Sequence, residues 1–121
     1  MKLFLAKIIY KIVKPFEEGY EQFDEQLCFV NARDLHEAFF KARMLGVKNE
    51  DEVKHESGSS ILWKFIDVPF LKEITSFEDG LELHSAVLEK EATEFYEKFI
   101  KARASELQAS IELGLQPLLS S

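Results

Sequence analysis

The sequence predicts an α+β domain in which an antiparallel sheet of four to five strands carries two helices on one face. Three observations lead to this class. Apolar residues alternate along residues 3–13, a capped segment with apolar residues at helical spacing follows at 34–45, and 61–68 is rich in β-branched and aromatic residues. Strands and helices in this irregular order favour an antiparallel sheet over a parallel one.

Length and charge limit the class of protein. A chain of 121 residues fits one domain, which we expect at 1–113, followed by a short C-terminal tail at 114–121. The net charge of −7 argues against sequence-independent nucleic-acid binding, which needs a basic surface. The single cysteine, Cys28, and the lack of a window with the ~18 apolar residues of a membrane helix predict a cytoplasmic protein that binds no membrane.

The first two strands are predicted to form a hairpin. Residues 3–13 place Lys7 and Lys11 on a face opposite to an apolar one, which predicts a strand with one wet face. The segment 14–19 holds a proline and a glycine and is expected to turn the chain, so that 23–31 returns antiparallel.

The first helix has clear start and stop signals. Asp34 is a good N-cap, and Glu37 three residues later completes a capping-box pattern. Gly46 is expected to end the helix as a left-handed C-terminal cap residue.

The segment 61–68 is apolar on both faces, which predicts a central strand with Trp63 in the core. A turn at 58–60 precedes it, and Pro69 is expected to end it. The acidic segment 47–60 alternates too poorly to decide whether it adds a short strand. A last strand is predicted at 81–87, and a final helix should begin between Glu89 and Ala92 and end at Gly114.

Several short motifs resemble one family. These are Phe4-Leu5-Ala6-Lys7, Phe23-Asp24-Glu25-Gln26-Leu27, Ala32-x-Asp34-x-x-Glu37-Ala38, Trp63-Lys64-Phe65-Ile66-Asp67-Val68 and Glu78-Asp79-Gly80-x-Glu82-Leu83-x-Ser85. Over roughly residues 3–100 the chain is similar to domain-of-unknown-function family 4288. The resemblance implies a bacterial, compact α+β domain, and it carries over no activity, catalytic residue or ligand.

One candidate site lies on the outer face of the first helix. At 100° per residue, Phe40 and Met44 lie roughly 140–180° from the centre of the core stripe, with His36 one turn earlier. Large apolar residues on an outer face are typical of a protein contact. The alternative is that the final helix or the tail covers them within the same chain.

A second candidate is a cleft between the sheet and the helices near Trp63, Asp67 and His84. A carboxylate beside aromatic residues can have a raised pKa and act as an acid or base. It can equally accept backbone N–H groups and fix a turn, which is the interpretation we favour for Asp67.

Residues for metal or nucleophilic chemistry are scattered. His36, His55 and His84 fall on a helix, a loop and a strand without metal-ligand spacing, so we expect no metal site and no cofactor. Cys28 lies within a strand, where a packed, inert thiol is the usual case, so no catalytic residue is assigned.

Two functions from different classes remain open. The first is a small non-enzymatic interaction module, binding itself or another protein, with an acidic immunity or antitoxin protein covering a basic effector as one version. The alternative is a small-molecule-binding domain or enzyme that uses the cleft near Trp63, Asp67 and His84.

Overall fold

The computed structural model describes residues 1–14, 21–54, 58, 60–80 and 95–114. The elements in this part of the chain are β1 (Lys2–Val13), β2 (Gln22–Ala32), α1 (Leu35–Lys48), β3 (Asp51–Lys54), β4 (Ser60–Ile74) and α2 (Tyr96–Glu112). The strands form one antiparallel sheet in the order β2-β1-β4-β3, which confirms the α+β prediction. The strand predicted at 81–87 and the predicted start of the final helix lie outside the described residues, as does most of the predicted turn at 14–19. No helix of the described part is long and apolar enough to cross a membrane.

The predicted hairpin is confirmed. β1 and β2 pair without interruption from Lys2 opposite Ala32 to Ile12 opposite Gln22. The segment 47–60 supplies β3, whose four residues pair with the start of β4. In the described part of the chain, β2 and β3 are therefore the two edges of the sheet, and β1 and β4 are its centre.

Both faces of β1 are buried, so the expected wet face is wrong. One face contributes alternate residues to a cluster that also contains residues of β2, α1, β4 and α2, and we call it the α1 cluster. On the other face, Leu5 and Ile9 are also buried, and Lys7 between them is only 8% exposed. The sequence pattern misleads here because residues distant in the chain, such as Phe70 and Ile100, pack on that second face.

The start of α1 follows its local signals. The Asp34 carboxylate accepts a hydrogen bond from the Glu37 backbone N–H at 2.8 Å, as an N-cap does. The Glu37 carboxylate reaches back and accepts from the backbone N–H of Arg33 at 3.2 Å, one residue before the cap. This end of the helix is thus stabilised by contacts that its own sequence specifies.

The predicted end of α1 at Gly46 is wrong. The helix continues to Lys48 and is capped by Asn49, while Gly46 is buried inside it and has no left-handed backbone. Its carbonyl accepts a hydrogen bond from the Tyr10 hydroxyl at 3.0 Å, and a Cβ at this position would overlap the ring of Phe65. Glycine is needed here because α1 approaches the sheet closely, and not because the chain turns.

β4 continues through Pro69 to Ile74, so the expected end at this proline is also wrong. Between the pairs Lys7–Phe70 and Tyr10–Phe65, β1 has two residues and β4 has four. This bulge accommodates a residue that has no backbone N–H to give to the ladder. Trp63, expected in the core, is half-buried and packs against the α1 cluster from its rim.

Helix α2 contacts the packing on both faces of β1. Leu107 belongs to the α1 cluster, whereas Ile100 packs with Ile9 in the cluster on the opposite face. The helix lies against β4. Strand β3 pairs with β4 only along residues 60–63. Gly114, with a φ of 74°, ends the helix as the sequence predicts.

Candidate functional site

The outer face of α1 carries the three residues predicted to contact a partner. Its inner face buries Ala38, Phe39, Ala42 and Gly46 against the sheet. On the outer side Phe40 is 61% exposed and Met44 is 55% exposed, and His36 is exposed one turn earlier. Their contact role remains a prediction.

These residues border an open groove between α1 and the edge of the sheet, which we call the α1–β2 groove. It has a volume of about 980 Å³. It is lined by Phe29, Val30, Asn31, Arg33, His36, Glu37, Phe40, Lys41, Met44, Leu45 and Lys48. One side is thus a helix surface, and the other is strand β2, whose only partner strand in the described part is β1.

The side chains of β2 alternate between the two faces at this groove. Cys28 and Val30 pack in the α1 cluster, so the side chain of Phe29 points to the opposite face, where it is 57% exposed. The ammonium group of Lys41 donates a hydrogen bond to the backbone carbonyl of Asn31 at 2.8 Å. The β2 side of the groove therefore presents backbone as well as side chains.

The rim of the groove is basic although the whole chain is acidic. Three of the lining residues are Arg33, Lys41 and Lys48, and Glu37 is the one acidic residue among them. Arg33 binds the Glu37 carboxylate at 2.7 Å and holds its pKa below the ordinary value, and Lys41 lies 3.7 Å away. Glu37 is thus already paired, and the remaining positive charge faces solvent in a protein of net charge −7.

Asp67 is held by several donors at once. Its two carboxylate oxygens accept hydrogen bonds from Nε and Nη2 of Arg43 at 2.9 and 3.1 Å, and one also accepts from the Val68 N–H at 2.8 Å. Arg43 in turn lies 4.2 Å above the ring of Phe39 and donates to Gln108 on α2. The carboxylate therefore connects β4 to α1 and, through Arg43, to α2. It does not fix a turn, as the sequence interpretation had it, because β4 continues past it.

The second candidate site is only partly described. Trp63 and Asp67 both lie on the side of β4 that α1 covers, whereas His84 lies outside the described residues. A carboxylate with donors on both oxygens is poorly placed to take a proton from a ligand. The described residues supply no observation in favour of a cleft at this position.

A second polar cluster lies on the opposite face of the sheet. Lys7 and Glu25 are 3.9 Å apart, and the hydroxyl of Tyr96 donates to the same carboxylate. Burial lowers the pKa of Lys7, an effect that Glu25 opposes, and burial raises the pKa of Tyr96. Lys11 adds an ion pair to Glu97 at 3.4 Å. These contacts attach the start of α2 to the sheet.

Metal and thiol chemistry find no support in the described residues. No group of three His, Cys, Asp or Glu side chains in that part of the chain could hold a metal ion, and His55 and His84 lie outside it. Cys28 is half-buried, and burial raises the pKa of its thiol, which lowers the fraction of reactive thiolate.

Sequence reasoning missed the β2 side of the groove and the basic residues of its rim. Phe29, Arg33, Lys41 and Lys48 were not selected because their role depends on β2 being an edge strand, which is a property of the sheet order. One signal was available. Phe29 alternates with Cys28 and Val30, so a helix covering those two residues had to leave Phe29 on the other face.

The comparisons with known proteins bear on the family. No curated protein and no solved structure matches the chain. A family model does match, over residues 3–85, which is more than half of the chain and includes β2, α1, β3, β4 and all of β1 except its first residue. The chain therefore belongs to the family described as Domain of unknown function (DUF4288).

Proposed function

We propose that this chain is a non-enzymatic interaction module that binds an acidic segment of another protein in the α1–β2 groove. The observation that carries the proposal is the exposure of Phe40 and Met44 beside an edge strand. Large apolar side chains grouped at one place on a surface are typical of contact sites, and Phe and Met are enriched there.

The charge of the groove supports an acidic partner. Arg33, Lys41 and Lys48 outnumber Glu37 on the rim, so an acidic segment would gain favourable electrostatic contacts. A symmetric contact with a second copy would place the same patch against itself and bring these basic groups together. A basic effector, the partner of an immunity-type protein, would have to bind an acidic surface elsewhere.

The polar clusters outside the groove support a non-enzymatic role. Asp67 has donors on both carboxylate oxygens, and the Glu25 carboxylate is shared by Lys7 and Tyr96. These groups connect elements of the fold, and their saturated geometry supplies neither a free general base nor an activated nucleophile.

A groove variant tests the proposal. We expect the double variant Phe40→Asp, Met44→Lys to lose proteins that the tagged wild-type chain captures from its native host. A matched control, Phe77→Asp with Leu113→Lys, changes two exposed apolar residues outside the groove by the same chemistry. Captured proteins are identified by mass spectrometry, and melting temperatures check that both variants fold.

Three results would contradict the proposal. One is equal capture by the wild type and the groove variant. Another is a molecular mass, measured by light scattering, that is lower for the groove variant than for the wild type, because this would show that a second copy of the chain occupies the groove. The third is strong destabilisation of the groove variant alone, which would show that Phe40 and Met44 belong to the core.

A further inference from the structure

We infer that the partner segment binds in an extended conformation, as an additional strand along the outer edge of β2, which has no partner strand in the described part of the chain. The inference rests on the proposed function and specifies how the groove holds its partner. Strand addition takes most of its affinity from backbone hydrogen bonds and its specificity from side chains at alternate positions.

The backbone of β2 provides the first observation. The Asn31 carbonyl accepts from Lys41, so it points out of the sheet and away from β1. In an antiparallel strand the N–H and C=O of one residue point the same way, and this direction alternates along the strand. Because the β1–β2 register is unbroken, the backbone groups of Phe29 and Leu27 also point outward.

The side chains around this edge provide the second observation. On one side of an added strand lie Phe40 and Met44 of α1. On the other side lie Phe29 and Leu27, which are 57% and 52% exposed. Successive side chains of a strand point to opposite faces, so an added strand with apolar residues at neighbouring positions would contact both pairs.

Lys41 defines where an acidic residue of the partner belongs. An added strand needs the Asn31 carbonyl and would displace the Lys41 ammonium group from it. The released ammonium group is then available to a carboxylate on the partner, because the Glu37 carboxylate is already paired with Arg33. We therefore expect a segment that contains two adjacent apolar residues and an acidic residue close to them.

Random linear peptides displayed on phage test this chemistry. Selection on the wild-type chain, with counter-selection on the Phe40→Asp, Met44→Lys variant, should enrich peptides with adjacent large apolar residues and Asp or Glu. Enrichment of basic peptides, or of peptides with apolar residues at helical spacing, would overturn the inference.

Amide hydrogen exchange tests the binding mode on the unchanged protein. In the free chain the amides of Leu27 and Phe29 should exchange fast, while those of Cys28 and Val30, bonded to β1, are protected. A synthetic peptide from the selection should slow exchange at Leu27 and Phe29. If it binds the groove and leaves these two amides unprotected, strand addition is wrong and the proposed function stands.

Two substitutions at Leu27 separate its N–H from its side chain. Leu27→Pro removes the outward N–H, which an edge strand tolerates, and Leu27→Ala removes most of the side chain alone. We expect peptide affinity to be roughly 5-fold weaker for the proline variant than for the alanine variant, as for one lost hydrogen bond. Equal affinities would overturn the inference, and if the proline variant fails to fold, the exchange experiment decides.

The two levels of the proposal fail differently. If host proteins bind through the groove but no selected peptide does, the extended segment is wrong and the interaction module stands. If neither host proteins nor peptides distinguish the wild type from the groove variant, the proposed function fails as well.

Discussion

Replacing Gly46 by alanine should destabilise the fold although alanine is the better helix former. In a helix interior, alanine is favoured over glycine by about 1 kcal/mol. At this position the added methyl group would overlap the Phe65 ring, and such overpacking costs about 1–3 kcal/mol. The Phe65 ring has little room to move, because it also packs edge-on against Tyr10, whose hydroxyl binds the Gly46 carbonyl. We therefore expect a net loss of about 1 kcal/mol in the free energy of unfolding.

The assay is a double-mutant cycle with Phe65→Leu, measured by urea unfolding. Leucine lacks the Cε1 and Cζ atoms that the new methyl group would overlap, and its two Cδ methyl groups can rotate away, so Gly46→Ala should become stabilising by about 0.5–1 kcal/mol in that background. If Gly46 were instead a left-handed C-cap residue, its replacement by alanine would lower the free energy of unfolding by a similar amount in both backgrounds. The reasoning is refuted if Gly46→Ala stabilises the wild-type chain, or if its cost does not depend on Phe65.

Two further predictions concern polar contacts. Asp67→Asn should cost about 1–2 kcal/mol by urea unfolding, because the amide keeps only part of the bonding to Arg43 and loses the charge; Asp79→Asn in an exposed turn is the control, and equal effects would contradict the structural role. Burial and the bond to Glu25 raise the pKa of Tyr96 above its ordinary value of 10.0. The folded state therefore holds this proton more tightly than the unfolded state, and the stabilisation present below about pH 10 declines at higher pH. The decline, followed by urea midpoints from pH 8 to 11, should be less steep in Tyr96→Phe, and an unchanged slope would show that Tyr96 does not contribute.

The elements predicted best are those whose signals are local. The N-cap at Asp34 needs only Glu37 three residues later, and the structure shows that hydrogen bond. The alternation in 3–13 and 23–31 predicts two strands because the period of a strand is written in adjacent residues. The short connection between them then favours the observed hairpin.

The predictions that are wrong involve residues whose role depends on distant contacts. Glycine and proline usually mark the ends of helices and strands. Here Gly46 allows α1 to approach Phe65 closely, and Pro69 lies in a bulge opposite β1. Lys7 reads as a solvent-facing residue, yet the packing of α2 and the end of β4 on that face buries it. These neighbours are distant in the sequence, so the residues adjacent to Gly46, Pro69 and Lys7 give no signal of them.

The candidate site likewise contains residues that the local sequence predicts and residues that it does not predict. Phe40 and Met44 could be selected from the helical wheel, since the buried face of an amphipathic helix identifies its outer face. The β2 side of the groove could not, because strand order is set by which segments pair across the whole chain. The basic rim is likewise assembled from α1 and the loop before it, and composition reports only the net charge of −7.

The position of β1 at the centre of the sheet has a consequence for how the chain folds during synthesis. Leu3 pairs with Asn31 in the β1–β2 hairpin and, on its other side, with Ile74 of β4. Ile9 packs against Ile100, which is synthesised later still. Until those later segments leave the ribosome, one edge and one apolar face of β1 have no native partner. Such long-range contacts slow folding and prolong the exposure of apolar surface that can aggregate. Nascent chains of this protein should therefore depend on chaperones until α2 has been synthesised.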